Sequence, residues 1–198
     1  MKSLLLTLTI SLLSLLSCSA DIKAYIKFTG GNAAAVATGD STDSQYPGSQ
    51  GWFKVDSYSL GIKNTINIGG ASSGSGSGRA SFEPVKISKT AGRGSAQLLL
   101  ACAAGRHYDQ VTLVVVRSSD SGGGVTTTRV LQMDMHLVLV ESIQTEGTNG
   151  DDATLEEIVI KHGAQKVEFF RQKMDGSEES AGSSEWSVVL NEATTNVQ

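Results

Sequence analysis

The stretch GRGSAQLLLACAAGRHYDQVTL, residues 92–113, is the segment of this chain that most clearly predicts an α-helix. Ser95 suits an N-cap because its hydroxyl can accept hydrogen bonds from early free amides, and Gly105 suits the left-handed residue that often ends a helix. Three leucines lie between them: Leu98, Leu99 and Leu100. We therefore predict a helix over residues 95–104, so apolar that more than one side of it must be covered.

Strand patterns surround this helix. Residues 21–28, DIKAYIKF, place Ile22, Ala24, Ile26 and Phe28 on one face and lysines on the other, which is typical of a half-buried antiparallel strand. Further strands are predicted over residues 52–62, 79–89, 109–118, 125–146, 153–162, 165–173 and 184–191. The run 125–146 is too long for one straight strand, so a bend is expected near residues 134–136. Roughly eight to ten strands at short spacing predict an all-β barrel or sandwich.

Two segments interrupt these strands. Residues 30–51 have no hydrophobic period and many turn formers, which predicts a long loop. Residues 69–78, GGASSGSGSG, are of low complexity and predict a flexible hairpin.

The first twenty residues are typical of an export signal, with Lys2 followed by an apolar stretch too short to span a bilayer comfortably. Cleavage after Ala20 would leave a single domain over residues 21–198. Alternatively residues 15–18, LLSC, resemble a lipobox, and Cys18 would then carry a lipid that anchors the chain to a membrane. We prefer export, and both forms of the N-terminus stay open.

Charge and cysteine content exclude several classes of function. The chain has 16 Lys and Arg against 20 Asp and Glu, and removal of Lys2 changes its formal net charge from −4 to −5. No basic block is present, which argues against nucleic-acid binding. Cys102 is the one cysteine after the signal, so no internal disulfide is possible, and its apolar neighbours predict an inert buried thiol.

No pattern in the chain predicts an enzyme, a cofactor site or a metal site. Residues 70–74, GASSG, match a nucleophile elbow around Ser72, but the sequence after them cannot start the helix that this elbow requires. The histidines are far apart in sequence and lack metal-ligand spacing: His107, His136 and His162. We expect His107 to partner the helix terminus.

Acidic residues are explained by turns and surface. Residues 147–152, GTNGDD, predict a tight turn in which Asp151 or Asp152 binds local amides, because the ligands of a calcium loop are missing. The pairs Glu156–Glu157 and Glu178–Glu179 would point to opposite faces of a strand. We expect both pairs to be solvated.

Several segments resemble one known family in the same order. Residues 98–113, LLLACAAGRHYDQVTL, resemble the helix and following strand of the hemolysin-coregulated (Hcp) proteins, the inner-tube subunits of type VI secretion systems. Residues 51–61, GWFKVDSYSLG, resemble the second strand of the family, and residues 69–89 its glycine-rich hairpin with the strand after it. Residues 138–160 resemble a hairpin of the family, and residues 166–182 with 185–191 its closing strands. The resemblance covers about residues 21–190.

This resemblance implies a mainly β fold, a compact antiparallel β-barrel with one short flanking α-helix. It also implies a non-enzymatic tube subunit that forms homohexameric rings, which stack into a tube and hold small effector proteins in the lumen. Tip and sheath proteins of a contractile system would be further partners. Ser59 would face the lumen. The candidate assembly elements are the loop 30–51, the hairpin 69–78 and these residues: Tyr58, Leu60, Ser95, Leu98, Leu99 and Leu100.

The export signal leaves a second function open. An exported or lipid-anchored β-barrel could act at the cell surface or in the periplasm as a binding or filament-forming module without a secretion role. The two hypotheses differ in localisation, since a type VI subunit would be cytoplasmic before it is secreted.

Overall fold

The computed structural model describes residues 20–32, 38–64, 80–120 and 125–198. These residues form ten strands and one α-helix. The strands are β1 (Ala20–Thr29), β2 (Trp52–Val55), β3 (Ser57–Ser59), β4 (Ile62–Asn64), β5 (Ala80–Phe82), β6 (Val85–Thr90), β7 (His107–Asp120), β8 (Val125–Glu146), β9 (Leu155–Gln172) and β10 (Glu178–Ser187). The helix is α1 (Ser95–Ala103), and a short 3₁₀ turn covers Gly48–Gln50.

All paired strands are antiparallel, and the main sheet has the order β2-β1-β7-β8-β9-β6-β3. Its first and last strands, β2 and β3, are consecutive in the chain and are separated by Asp56 alone. The Asp56 amide donates to the carbonyl of Ser88 on β6 at 2.8 Å. The two ends of the sheet therefore meet through one short segment, and the sheet curls into a barrel. The predicted antiparallel barrel with one helix is confirmed.

The barrel interior holds the apolar core. Its fully buried large side chains come from six strands and the helix: Ile26, Phe28, Phe53, Ile87, Leu98, Tyr108, Leu113, Met133, Met135, Ile158 and Ile160. Burial of each such side chain stabilises the fold by roughly 1.5–3 kcal/mol. The predicted inward face of β1 is confirmed for Ala24, Ile26 and Phe28. Ile22 is 60% exposed, because β2 pairs with residues 24–27 of β1 and does not reach it.

The described part of the long loop, residues 38–51, packs on the outer face of the barrel. Tyr46 stacks on Tyr25 of β1 with ring centroids 4.7 Å apart, and the Tyr25 hydroxyl donates to Asp43 at 2.8 Å. Burial would raise the pKa of Asp43, but this bond and the amides of Gln45 and Tyr46 outweigh it and lower that pKa. This part of the loop is therefore tied to the sheet.

The strand boundaries differ from prediction in several places. The strand predicted over residues 52–62 is divided among β2, β3 and β4, and Pro84 divides the one predicted over residues 79–89 into β5 and β6. The strands predicted over residues 153–162 and 165–173 are one strand, β9. Residues 178–183, which lie between two predicted strands, form most of β10 through pairing with β9.

The bend expected near residues 134–136 lies one position further on. β8 is continuous, but Leu137 takes a left-handed conformation with φ 49°. Neither Leu137 nor Gly163, which lies beside it on β9, has a register partner between the two strands. The regular pairing of the long strand is interrupted at this point.

Some predictions concern residues outside the described parts of the chain. These are the export signal with Cys18, the hairpin 69–78 and Ser72. In the described parts, no helix combines the length and the hydropathy that a membrane span requires.

Candidate functional site

Helix α1 is positioned at its start by a glycine and an aromatic ring. The N-cap is Gly94, not Ser95, and no side chain caps the first turn. A Cβ on Gly94 would lie 2.3 Å from Cζ of Phe53, so only glycine lets the chain approach the core this closely. The predicted capping role of Ser95 is wrong, because its hydroxyl is used elsewhere.

The helix ends as predicted at Gly105, which has φ 61°. The Gly105 amide donates to Cys102 O at 3.2 Å and the Arg106 amide to Ala101 O at 2.9 Å, the two bonds of a Schellman motif. The ring of His107 lies 3.8 Å from Asp109 on its own strand, where an interaction with the helix terminus had been expected.

The helix is apolar on two sides. Leu98 and Ala101 are buried in the barrel core, and Cys102 packs partly against it. A second row, Ala96, Leu99, Leu100 and Ala103, is exposed and has the i, i+3, i+4, i+7 spacing of one helix face. We call these four residues the outer stripe. Leu99 is 46% and Leu100 54% exposed, whereas Leu98 is inaccessible to a partner because it holds the helix to the barrel.

The start of the helix is tied to a buried ionic cluster formed by Lys89, Asp40, Glu156 and Ser95, here called the anchor cluster. Lys89 on β6 is fully buried, and its Nζ lies 3.4 Å from both Asp40 Oδ2 and Glu156 Oε2. It donates to Thr90 O at 2.7 Å. Ser95 Oγ donates to Glu156 Oε2 at 2.8 Å and accepts from the Gly92 amide at 2.9 Å.

The anchor cluster contradicts the expectation that Glu156 is solvated, since its side chain is 2% exposed. A signal for it existed in the sequence. Lys89 continues the inward alternation of Val85 and Ile87, as Glu156 does that of Ile158 and Ile160. Opposite charges in phase with two apolar strand faces predict a buried pair, and the two residues are direct partners in the β6–β9 register.

The outward face of the sheet carries a second polar network, the outer wall, formed by Thr112, Arg129, Gln132, Asp134 and Glu178. Asp134 accepts from Thr112 at 2.7 Å and from Gln132 at 2.8 Å. Arg129 donates to Gln132 at 2.8 Å and to Glu178 at 2.9 Å. Glu178 and Glu179, expected to be solvated, are only partly exposed, and each pairs with an arginine, Arg129 and Arg171 respectively.

Residues 58–60 lie beside an apolar hollow. Tyr58 and Ser59 on β3 are exposed, while Leu60 is half-buried. Leu60 lines a hollow of about 370 Å³, whose other apolar walls are Ile62, Val85, Leu131, Met133, Val167 and Phe169. A lumen-facing position for Ser59 stays a prediction.

His107 and His136 line a common hollow, of which His162 is not part. Within the described parts of the chain, no group of three or more His, Cys, Asp or Glu side chains is arranged to hold a metal ion. His162 is different from the others, because both its ring nitrogens are shielded from solvent and have no hydrogen-bond partner in those parts. The predicted turn at residues 147–152 is confirmed, with the Thr148 amide donating to Asp151 Oδ2 at 2.8 Å.

One sheet edge is uncovered. Among the described strands β10 pairs with β9 alone, although Ser187 at its end also bridges Glu192, and a bulge between Ser180 and Gly182, the latter with φ 144°, divides it. Residues 180–185 are all exposed. An unpaired strand edge and an uncovered helix stripe together define the class of this molecule, a small antiparallel β-barrel protein with surface suited to contacts with other chains.

Comparison with known proteins identifies that class more closely. Residues 25–169 match the family described as "Type VI secretion system effector, Hcp". The chain belongs to the Hcp family. The barrel and flanking helix implied by the sequence resemblance agree with this assignment.

Individual relatives are distant in sequence. Protein hcp1 of Pseudomonas aeruginosa is 26% identical over 101 residues, which are 51% of this chain and 60% of that protein. A structure titled "Structure of a type six secretion system protein" has a TM-score of 0.71 at 21% identity, covering 88% of this chain and all of its own. Hcp1 from Salmonella typhimurium has a TM-score of 0.58 at 17% identity, covering 87% and 99%. These structural likenesses concern the fold.

Proposed function

We propose that this chain is a structural tube subunit of a type VI secretion system, which assembles into hexameric rings that stack and hold small effector proteins. Membership of the Hcp family supports the type VI role. The observation that carries assembly is the outer stripe of α1, since the described part of a single barrel leaves it exposed.

The outer stripe supports a contact between protomers through hydrophobic burial. Removing two half-exposed leucines from water stabilises a contact by roughly 1 kcal/mol each, and the alanines beside them allow close approach. A closed ring repeats this contact at every interface, so a modest energy per contact is multiplied.

The free edge of β10 supports a second contact. Its unpaired amides and carbonyls can hydrogen-bond a strand of a neighbour, and each such bond contributes about 0.5–1.5 kcal/mol. The bulge at Gly182 limits this pairing to one half of the strand at a time. Backbone hydrogen bonds then contribute more to the interface between protomers than exposed ion pairs, which supply about 0–1 kcal/mol each.

A lumen that holds protein cargo requires a hydrophilic wall without large exposed apolar patches. The outer wall has this character, because its charged and neutral polar groups hydrogen-bond one another, Arg129 with Glu178 and Gln132, and Asp134 with Thr112 and Gln132. Ser59, exposed on β3, is the second candidate for a cargo-facing position. Tip and sheath proteins of the contractile apparatus are the proposed partners of the assembled tube.

A double substitution in the outer stripe tests assembly. We expect Leu99→Asp with Leu100→Asp to abolish rings of the mature chain, residues 21–198, because burying an unpaired carboxylate at an interface costs several kcal/mol. Both side chains are half-exposed in the protomer, so its melting temperature should change little. Sedimentation velocity and negative-stain imaging measure the first effect, and thermal unfolding measures the second.

Met174→Asp is the matched control, since Met174 is fully exposed in the β9–β10 turn. It should leave rings intact. A double variant that still forms rings, or a wild-type chain that stays monomeric at high micromolar concentration, would contradict the proposed assembly.

A further inference from the structure

The anchor cluster reaches the helix through one hydrogen bond. Glu156 Oε2 lies 3.4 Å from the Lys89 ammonium and also accepts from Ser95 Oγ, on the first residue of α1. The Ser95 hydroxyl in turn accepts from the Gly92 amide, in the turn before the helix. This serine therefore couples a buried charge pair between two barrel strands to the start of the helix.

The helix has few other restraints at this end. No side chain caps its first turn, and its N-cap is a glycine. The Thr38 amide donates to Gln97 at 3.3 Å, a long and exposed bond. Packing of Leu98 and Ala101 holds one face to the core, but apolar packing is non-directional and tolerates a small rotation of the helix.

We propose that the anchor cluster positions α1, with Ser95 as the link, so that the outer stripe meets a neighbouring protomer at the correct angle. Lys89, Glu156 and Ser95 are thus positioning residues for assembly that touch no partner themselves. This inference rests on the proposed ring.

The energetics of buried charges support a role in geometry. Removing a lysine and a carboxylate from water costs several kcal/mol per ion, and this cost can exceed the gain from their mutual attraction. Replacement of such pairs by apolar residues of similar size is often neutral or stabilising. The pair instead fixes the orientation of the helix on the barrel, because its hydrogen bonds with Ser95 and Thr90 require one arrangement of the two strands and the helix.

Ser95→Ala tests the link with least disturbance, because the Lys89–Glu156 pair remains intact. We expect the variant to raise the protomer concentration at half-dissociation of the rings by about tenfold or more, the equivalent of about 1.4 kcal/mol. Hydrogen exchange of the amides of residues 98–103 should accelerate in the same variant. Ser95→Thr retains the hydroxyl and should restore both, and Ser177→Ala, in the β9–β10 turn, is the matched control.

The double variant Lys89→Met with Glu156→Leu tests the cluster itself. It should unfold at about the wild-type temperature or above, yet lose rings. Unchanged ring dissociation in Ser95→Ala, or rings in the apolar double variant, would overturn the inference. If the wild-type chain forms no rings, the proposed function is contradicted, but the role of Ser95 is still testable. Hydrogen exchange of the helix amides in Ser95→Ala monomers then decides whether Ser95 positions α1.

Discussion

At the scale of single residues, His162 is the buried group with the clearest consequence for stability. Burial lowers the pKa of the His162 imidazole. The nearby Gln165 side chain acts in the opposite direction, but it makes no hydrogen bond to either ring nitrogen. The ring of Phe82 packs edge-on against it, with centroids 6.2 Å apart. The folded protein therefore favours the neutral imidazole.

This pKa predicts a loss of stability in mild acid. Above about pH 7.5 His162 is neutral in both states and contributes no pH dependence. As the pH falls below about 6.5, the unfolded chain binds a proton that the folded site resists, so the free energy of unfolding falls until the lowered folded pKa is passed. Urea unfolding from pH 7.5 to 5.0 should show a steeper decline for wild type than for His162→Phe.

The other two histidines are present in both proteins, so their effects cancel in this comparison. The variant can be more or less stable overall, since the prediction concerns the difference in slope. Parallel pH profiles for the two proteins would show that His162 titrates normally.

Residue patterns explain why the anchor cluster was missed. The alternation that correctly assigned Ile26 and Phe28 to the core also includes Lys89 and Glu156 in the inward faces of their strands. Residue type alone places charged residues at the surface, but their position in the inward–outward alternation of the strand is the better predictor. No sequence pattern predicts that the His162 ring lacks hydrogen-bond partners, because its environment depends on Phe82, which is distant in sequence.

At the scale of elements, the two faces of α1 should respond differently to truncation. Leu98→Ala removes a fully buried side chain and should lower the free energy of unfolding by about 2–5 kcal/mol. Leu99→Ala truncates a side chain that is 46% exposed and should cost under about 1 kcal/mol in the protomer. Chemical denaturation at concentrations too low for assembly measures both.

Equal losses in the two variants would mean that the helix does not sit with Leu98 inward. A large loss for Leu99→Ala alone would indicate a helix rotated by about one residue. Either result would remove the basis for an outer stripe.

Elements with a strong local sequence pattern were predicted well, whereas elements that exist only through pairing with another strand were not. The helix was placed to within one residue because three leucines and Gly105 mark it locally. β10 has no apolar alternation, and only its pairing with β9 makes residues 178–187 a strand. Gly163 suggested a break in β9, but its lack of a side chain accommodates Leu137 and Val189, each 3.2 Å from where its Cβ would lie.

At the scale of the whole molecule, barrel closure depends on the short segment of β2 and β3. Each half pairs with a different edge, β1 on one side and β6 on the other. Closure satisfies the main sheet there, and among the described residues β10 remains as an uncovered strand at the side of that sheet. The barrel was predictable from strand number and spacing. The connection that closes it was not, because it depends on a single residue, Asp56, between two strands that look like one.

The central claim is that a neighbouring protomer covers the outer stripe of α1. Electron cryomicroscopy of the assembled protein tests it most directly, because side-chain density shows what Leu99 and Leu100 contact. The account predicts rings in which both leucines are buried against the adjacent subunit. Rings whose contacts leave both leucines in solvent, or a preparation without rings, would contradict it.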